Sequence, residues 1–265
     1  MAPHDVLVGF DASPDAAGAI ELGARLLPGR DASIAHLWAV PFAASELRPR
    51  VSERTSTVQE MIDLLEQEAS LEAERIAAEG AVLATAAGWT ARRPVLRRAY
   101  GAEGLELAAL AEELDAEVLV VGSRGLSGPK AVLGSVSDQA VHTSPVPVLV
   151  VPRLVLSSER DAIAGGPILV GDDGSEGAGH AGEAATRLFP DRDVVTYEVV
   201  DEGRGRAVAA GLVRRAREIG AAAIVVGSRG RSAALEIVLG SAAMALLHHT
   251  DRPVVVVPAR RGPAA

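Results

Sequence analysis

The sequence predicts an α/β protein made of two tandem domains, each a parallel sheet flanked by helices. Motifs recur at long separation: VVGSRG stands at Val120–Gly125 and again at Val225–Gly230, and VLVGFDASPDA at Val6–Ala16 is matched by ILVGDDGSEGA at Ile168–Ala178. Strand-like and helix-like stretches alternate, which implies parallel strands joined by right-handed crossovers. The strand-like stretches, such as EVLVVG and AAIVVG, are apolar throughout, as expected of strands covered on both faces.

The repeat sets the domain plan. An offset of 162 residues pairs Gly9 with Gly171, Asp11 with Asp173 and Ser13 with Ser175, and RLLP (Arg25–Pro28) with RLFP (Arg187–Pro190). Later the offset falls to 105, pairing Gly122 with Gly227, so the second half is 57 residues shorter. The expected organisation is a first domain over 1–152, a linker over 153–166, and a second domain over 167–265 that lacks one helix and one strand.

Each half opens with a short aliphatic strand, Asp5–Phe10 and Pro167–Gly171. Ser13 and Ser175 suit helix N-caps, and Pro14 suits a first helical position. Ala16, Ile20, Ala24 and Leu27 share one helical face, and Pro28 ends the helix. Second strands follow at Ser33–Val40 and Val194–Val200. The first half then carries a flexible run, FAASELRPRVSE, a polar helix over Ser56–Ala87 and a third strand near Pro94–Ala99. The long helix and the third strand are what the shorter half has lost. Both halves resume with a helix (Ala102–Leu114; Gly205–Ile219), an apolar strand, a further helix, and a closing strand in PVPVLVVP or DRPVVVVP.

Composition narrows the chemistry. The 265 residues are 48% hydrophobic and 23% charged, so a folded core is expected, and aromatics at 3% make that core aliphatic. No cysteine is present, which removes disulfides, thiolate nucleophiles and cysteine metal sites. The histidines show no metal-ligand spacing; His248 and His249 are adjacent and diverge on a helix. A net charge of −9 disfavours nucleic acid, and Lys130 is the one lysine. No apolar run is long enough to span a membrane, and MAPHDVLVGF does not read as a secretion signal, so a cytoplasmic location is expected.

The glycine turns carry the functional expectation. Glycines directly after a buried strand let backbone N–H groups approach a ligand, and the Gly-Ser pairs Gly134-Ser135 and Gly240-Ser241 each precede an apolar helical stretch. A helix N-terminus presents unpaired amides and about half a positive charge, which suits a phosphate. If strands one and four are neighbours, the Asp-x-Ser turn and the glycine turn meet in one crevice beyond the strand ends. The competing reading is a glycine turn selected for tight packing alone.

These residues resemble the G-x2-G-x9-G-[ST] signature of the universal stress protein family. The resemblance extends to Asp11-Ala12-Ser13, Asp173-Gly174-Ser175 and the closing strands, and covers nearly the whole chain as a tandem member. It implies a Rossmann-like fold of the adenine nucleotide alpha hydrolase type, with strand order 3-2-1-4-5 in the first domain and 2-1-4-5 in the second. It also implies an ATP site, with or without Mg²⁺: Asp11 and Ser13 near adenosine, Val40 beside adenine, and Gly122, Arg124, Gly125, Gly134, Ser135 and Val136 around ribose and phosphates. The corresponding second set is Asp173, Ser175, Gly227, Gly230, Gly240 and Ser241.

The copies depart from the pattern differently. Eight residues, including Gly128-Pro129, separate Gly125 from Gly134, whereas nine separate Gly230 from Gly240. Asp201 and Glu202 stand where the first half has Val40, and carboxylates there oppose a polyanion. The first half is therefore the expected site. Arg124 and Arg229 could reach phosphate or stay solvated; G-x-x-x-x-G-K-[ST] is absent around Lys130. No activated nucleophile or metal cluster is evident, which points to binding rather than turnover. The leading expectation is an ATP-dependent regulatory protein. A nucleotide-independent interaction module and a slow ATP hydrolase using Asp11 as an acid–base group are the alternatives. The closing strands, Val146–Val151 and Val254–Val257, are expected to pair antiparallel and make the chain a pseudo-dimer, and further homodimerisation is left open.

Overall fold

The computed structural model describes residues 5–41, 47–123, 133–199, 205–228 and 239–259. In the first half, β1 (Asp5–Gly9) leads to α1 (Pro14–Leu26), which the buried Ser13 caps by accepting from the Ala16 amide at 3.1 Å. β2 (Asp31–Trp38) follows, then the short α2 (Leu47–Ser52) and the long α3 (Val58–Ala86). A capping box starts α3, with Thr57 and Glu60 each bonding the other's backbone amide. Next come β3 (Thr90–Ala91), β4 (Val95–Arg98), α4 (Glu103–Glu113), β5 (Val118–Gly122), α5 (Ser135–Thr143) and β6 (Val148–Val151).

A connecting helix, α6 (Ser157–Gly165), joins the halves. The second half contains β7 (Ile168–Asp172), α7 (Glu176–Leu188), β8 (Val194–Glu198), α8 (Gly205–Glu218), β9 (Ala223–Gly227), α9 (Ser241–His249) and β10 (Val254–Val257).

One continuous sheet runs in the order β3-β2-β1-β5-β6-β10-β9-β7-β8, with β4 also pairing β2. The first half thus shows order 3-2-1-4-5 and the second 2-1-4-5. All pairings are parallel except the seam, where β10 meets β6 antiparallel with Val254 opposite Val150, Val255 opposite Leu149 and Val256 opposite Val148. The third strand is split in two because Pro94, between β3 and β4, has no N–H to give the ladder.

Strand residues alternate between two core layers that both cross the seam. Val6, Val120, Leu149, Val255 and Val225 pack with α1 and α7, while Leu7, Leu119, Val150, Val254 and Ile224 pack with α4, α5, α8 and α9. Full burial of one such aliphatic side chain stabilises by about 1.5–3 kcal/mol. Separating the halves would therefore expose both layers.

Loss of the α3 equivalent leaves a direct trace. Ala32, Ile34 and His36 on β2 are buried, and α3 packs on that strand. The matched residues Val194, Thr196 and Glu198 on β8 are exposed, and the apolar Ile34 has become Thr196 while His36 has become the charged Glu198. The alternate residues Val195 and Tyr197 remain half-buried against the other layer.

Several details differ from the sequence expectation. The run read as flexible contains α2, and the run read as a plain linker contains α6, whose Glu159 Oε2 accepts from the Leu156 amide at 2.7 Å. β2 ends at Trp38 rather than Val40.

Candidate functional site

β1 and β5 are neighbours in the sheet, and the crossovers leave them toward opposite faces. Beyond their carboxyl ends lies a cleft of 290 Å³. Its floor is the Gly9–Asp11 turn with Val121 and Gly122, and one wall is Ala35–Leu37 at the end of β2. Glu103 and Leu107 of α4 form another side, and Gly134–Ser137 at the start of α5 close the site.

The polar character of this cleft comes from α5. Its N-cap is Gly134, in extended conformation with no side chain to accept a hydrogen bond, so among the described residues no side-chain cap covers the first turn. The first intrahelical bond runs from the Asp138 amide to the Gly134 carbonyl at 2.8 Å. The amides of Ser135, Val136 and Ser137 precede it, at the positive end of the helix dipole. The Ser137 hydroxyl donates to the Gly122 carbonyl at 2.6 Å, which fixes α5 against the end of β5.

The glycines act differently from the sequence expectation. A Cβ on Gly122 would lie 2.8 Å from the Asp15 carbonyl oxygen, so this glycine lets β5 pass close beneath α1. The Gly134 amide donates to the Ser123 carbonyl at 2.7 Å, and the Ser123 amide to Val151 at 2.8 Å. Those nitrogens are committed internally, and the α5 first-turn amides, Ser135, Val136 and Ser137, are the backbone donors beside the cleft.

Of the other expected residues, Asp11, Ser135 and Val136 line the cleft. Asp11 Oδ1 accepts from the Ser13 amide at 3.0 Å, in a turn where Ala12 takes φ +61°. Ser13 is spent on capping and is 1% exposed. Val40 is not on the cleft: it is buried with Val51 and Leu65 under α2 and α3, and Leu37 takes the wall position instead. Arg124, Gly125 and Lys130 lie outside the described residues. His36, which sequence reasoning passed over, lines the cleft; its Nδ1 donates to the Phe10 carbonyl at 2.8 Å, tying the ends of β1 and β2 together.

The second half repeats this plan at smaller scale. Asp173 Oδ1 accepts from the Ser175 amide at 3.1 Å, Ser175 caps α7, and the Gly240 amide donates to Ser228 at 2.8 Å. Gly240 caps α9 with no side chain, as Gly134 does for α5. The cleft beside Gly171, Asp173, Gly227 and Gly240 is only 70 Å³. The start of α8 narrows it: a Cβ on Gly205 would sit 2.6 Å from the Ala242 amide nitrogen and 2.5 Å from the Ser241 hydroxyl. In the first half α4 approaches α5 at Gly104, where a Cβ would meet the Val136 carbonyl oxygen, Gln139 and the Ala140 amide. Gly230, Arg229, Asp201 and Glu202 lie outside the described residues.

Fold and site together define a tandem α/β protein with a cleft at a sheet crossover, closed by the start of a helix. The family model of the universal stress protein family matches residues 3–152 and 191–258, and the chain belongs to that family. A universal stress protein of Mycobacterium tuberculosis is 47% identical over 58 residues, which is 21% of this chain and 20% of the relative. Among solved structures, a universal stress protein from Archaeoglobus fulgidus DSM 4304 superposes with a TM-score of 0.64 at 20% identity, covering 97% of this chain and 99% of that one. A Pseudomonas aeruginosa UCBPP-PA14 protein assigned to the same family gives 0.55 at 14% identity, covering 97% and 94%. At these identities the structural likeness establishes the fold. Among the described residues no helix is long and apolar enough to cross a membrane.

Proposed function

We propose that the chain binds one adenine nucleotide, ATP with or without Mg²⁺, in its first-half cleft and works as a cytoplasmic, nucleotide-dependent regulator in a stress response. The observation that carries this reading is the first turn of α5, without a side-chain cap among the described residues, opening onto a cleft with apolar walls. Phosphate oxygens suit the amides of Ser135–Ser137, and a base suits the surface offered by Ala35, Leu37, Leu107 and Val136. Asp11, in the turn that forms the floor, suits a ribose hydroxyl. The Glu103 carboxylate on the α4 side opposes bare phosphate charge and so favours the Mg²⁺ complex.

The second-half cleft has about a quarter of the first one's volume, which supports a single nucleotide per chain. Calorimetric titration with ATP, with and without Mg²⁺, tests both points. One site of micromolar to millimolar affinity is expected. No heat at millimolar ATP would leave the nucleotide-independent interaction module as the function of the fold.

A further inference from the structure

A second cavity, of 200 Å³, lies at the seam between the halves, where β6 ends and β10 begins. Ser123, Arg153, His248, Thr250 and Arg252 supply its polar lining. Arg252 is 6% exposed, yet its Nε and Nη1 have no hydrogen-bond partner among the described residues. Glu159 Oε1 stands 3.9 Å from Nη1, close enough to balance charge and too far to accept a hydrogen bond. Its other oxygen is engaged by the Leu156 amide. Aligning Pro253 with Pro147 puts Arg252 opposite Val146, so this buried cation has no counterpart in the first half.

Buried polar groups in native proteins are almost always paired, and guanidinium donors left unmet beside a cavity call for a partner inside it. Water could supply some of these bonds. The arrangement here is more selective: the guanidinium-bearing Arg252 and Arg153, the latter 3.8 Å from Asp15 Oδ1, and the buried hydroxyl-bearing Ser123 line one small space. Planar guanidinium donors match the oxygens of phosphate and carboxylate groups.

We propose that this seam cavity binds a small oxyanion, a phosphate or carboxylate group, held by Arg252 with Arg153 and Ser123. The site is separate from the first-half cleft and does not depend on the nucleotide reading. The two share one connection, because the Ser123 carbonyl accepts the amide of Gly134, the residue that caps α5.

The test uses the full chain. Crystals soaked in selenate should show an anomalous peak in the seam cavity at hydrogen-bond distance from the Arg252 guanidinium. In solution, inorganic phosphate and acetate are titrated separately against the melting temperature, to tell the two oxyanion classes apart. A saturable rise is expected with at least one of them. It should persist in Gly134→Asp, which fills the α5 terminus, and weaken about tenfold or more in R252M/E159Q, which removes both charges and keeps the volume. Arg153→Ala, an exposed change that folding should tolerate, is expected to weaken it less. Ordered water alone at Arg252, selenate only at α5, or an equal rise in R252M/E159Q would overturn the proposal.

Discussion

Arg30 and Arg192 occupy the same place in the repeat, and each caps a helix of the other half. Arg30 Nη2 donates to the Leu188 carbonyl at 3.0 Å at the end of α7, and Arg192 Nη2 donates to the Arg25 carbonyl at 3.2 Å at the end of α1. Helix C-termini leave carbonyls unpaired and carry partial negative charge, so a cation from across the seam is stabilising. The exchange is not fully symmetric. Arg30 also pairs with Glu117, whereas Arg192 bonds the Gly166 and Ile163 carbonyls at 3.1 and 3.2 Å, and burial lowers its guanidinium below the ordinary arginine value. The Arg after each of these Ala-rich helices is thus repeated for a structural reason.

Arg192→Met should therefore cost about 1–3 kcal/mol of unfolding free energy, as expected for bonds from a charged donor to carbonyls. Arg187→Met, at a side chain 55% exposed, should cost less than about 0.5 kcal/mol. Urea denaturation of the two variants checks the contrast, and equal losses would remove the helix-capping role from Arg192.

Gly122→Ala should lower stability first and affinity only through it, because the added methyl meets the Asp15 backbone rather than the cleft. Gly18→Ala in α1 has open space around its Cβ and should raise stability by about 0.5–1 kcal/mol. Thermal melts of both variants test this directly. A Gly122→Ala protein that melts normally but binds ATP poorly would restore a ligand-facing role for that glycine.

Thr196→Ile should restore the apolar residue that α3 buries in the first half, on a strand face that is exposed here. The expected result is greater self-association at unchanged fold, since an exposed apolar face beside a sheet edge invites pairing. Light scattering on concentrated wild type and variant would show the difference. Lower scattering from the variant would contradict the view that Thr196 and Glu198 keep this face soluble.

The fold was readable from the chain because the repeat and the two-sided apolar strands carry it. Offsets between matched motifs located the missing helix and strand, and the valine-rich closing strands signalled the seam. Position within the site was less readable. Val40 follows β2 in sequence, but the chain turns under α2 and α3 before reaching it, and nothing in the local pattern marks that turn. α2 was hidden by its six-residue length and by Pro49, and α6 by the exposed Leu154 and Leu156 before it. The role of Gly205 depends on where α8 begins relative to α9, a distance between elements remote in sequence. Gly134 and Ser135 were found from sequence because a glycine cap before a helix is a local feature. That the Gly134 nitrogen is committed internally required the bond from Gly134 to Ser123.

The most direct measurement compares ATP binding to Gly134→Asp and Gly240→Asp by calorimetry, with melting temperatures alongside. Both glycines have negative φ, so aspartate fits the backbone, and its carboxylate can accept the first-turn amides that phosphate would use. Gly134→Asp should lose ATP binding while melting at or slightly above the wild-type temperature. Gly240→Asp should bind one ATP with wild-type affinity. Full ATP binding by a folded Gly134→Asp protein, or loss of binding in Gly240→Asp alone, would contradict a phosphate site at the start of α5.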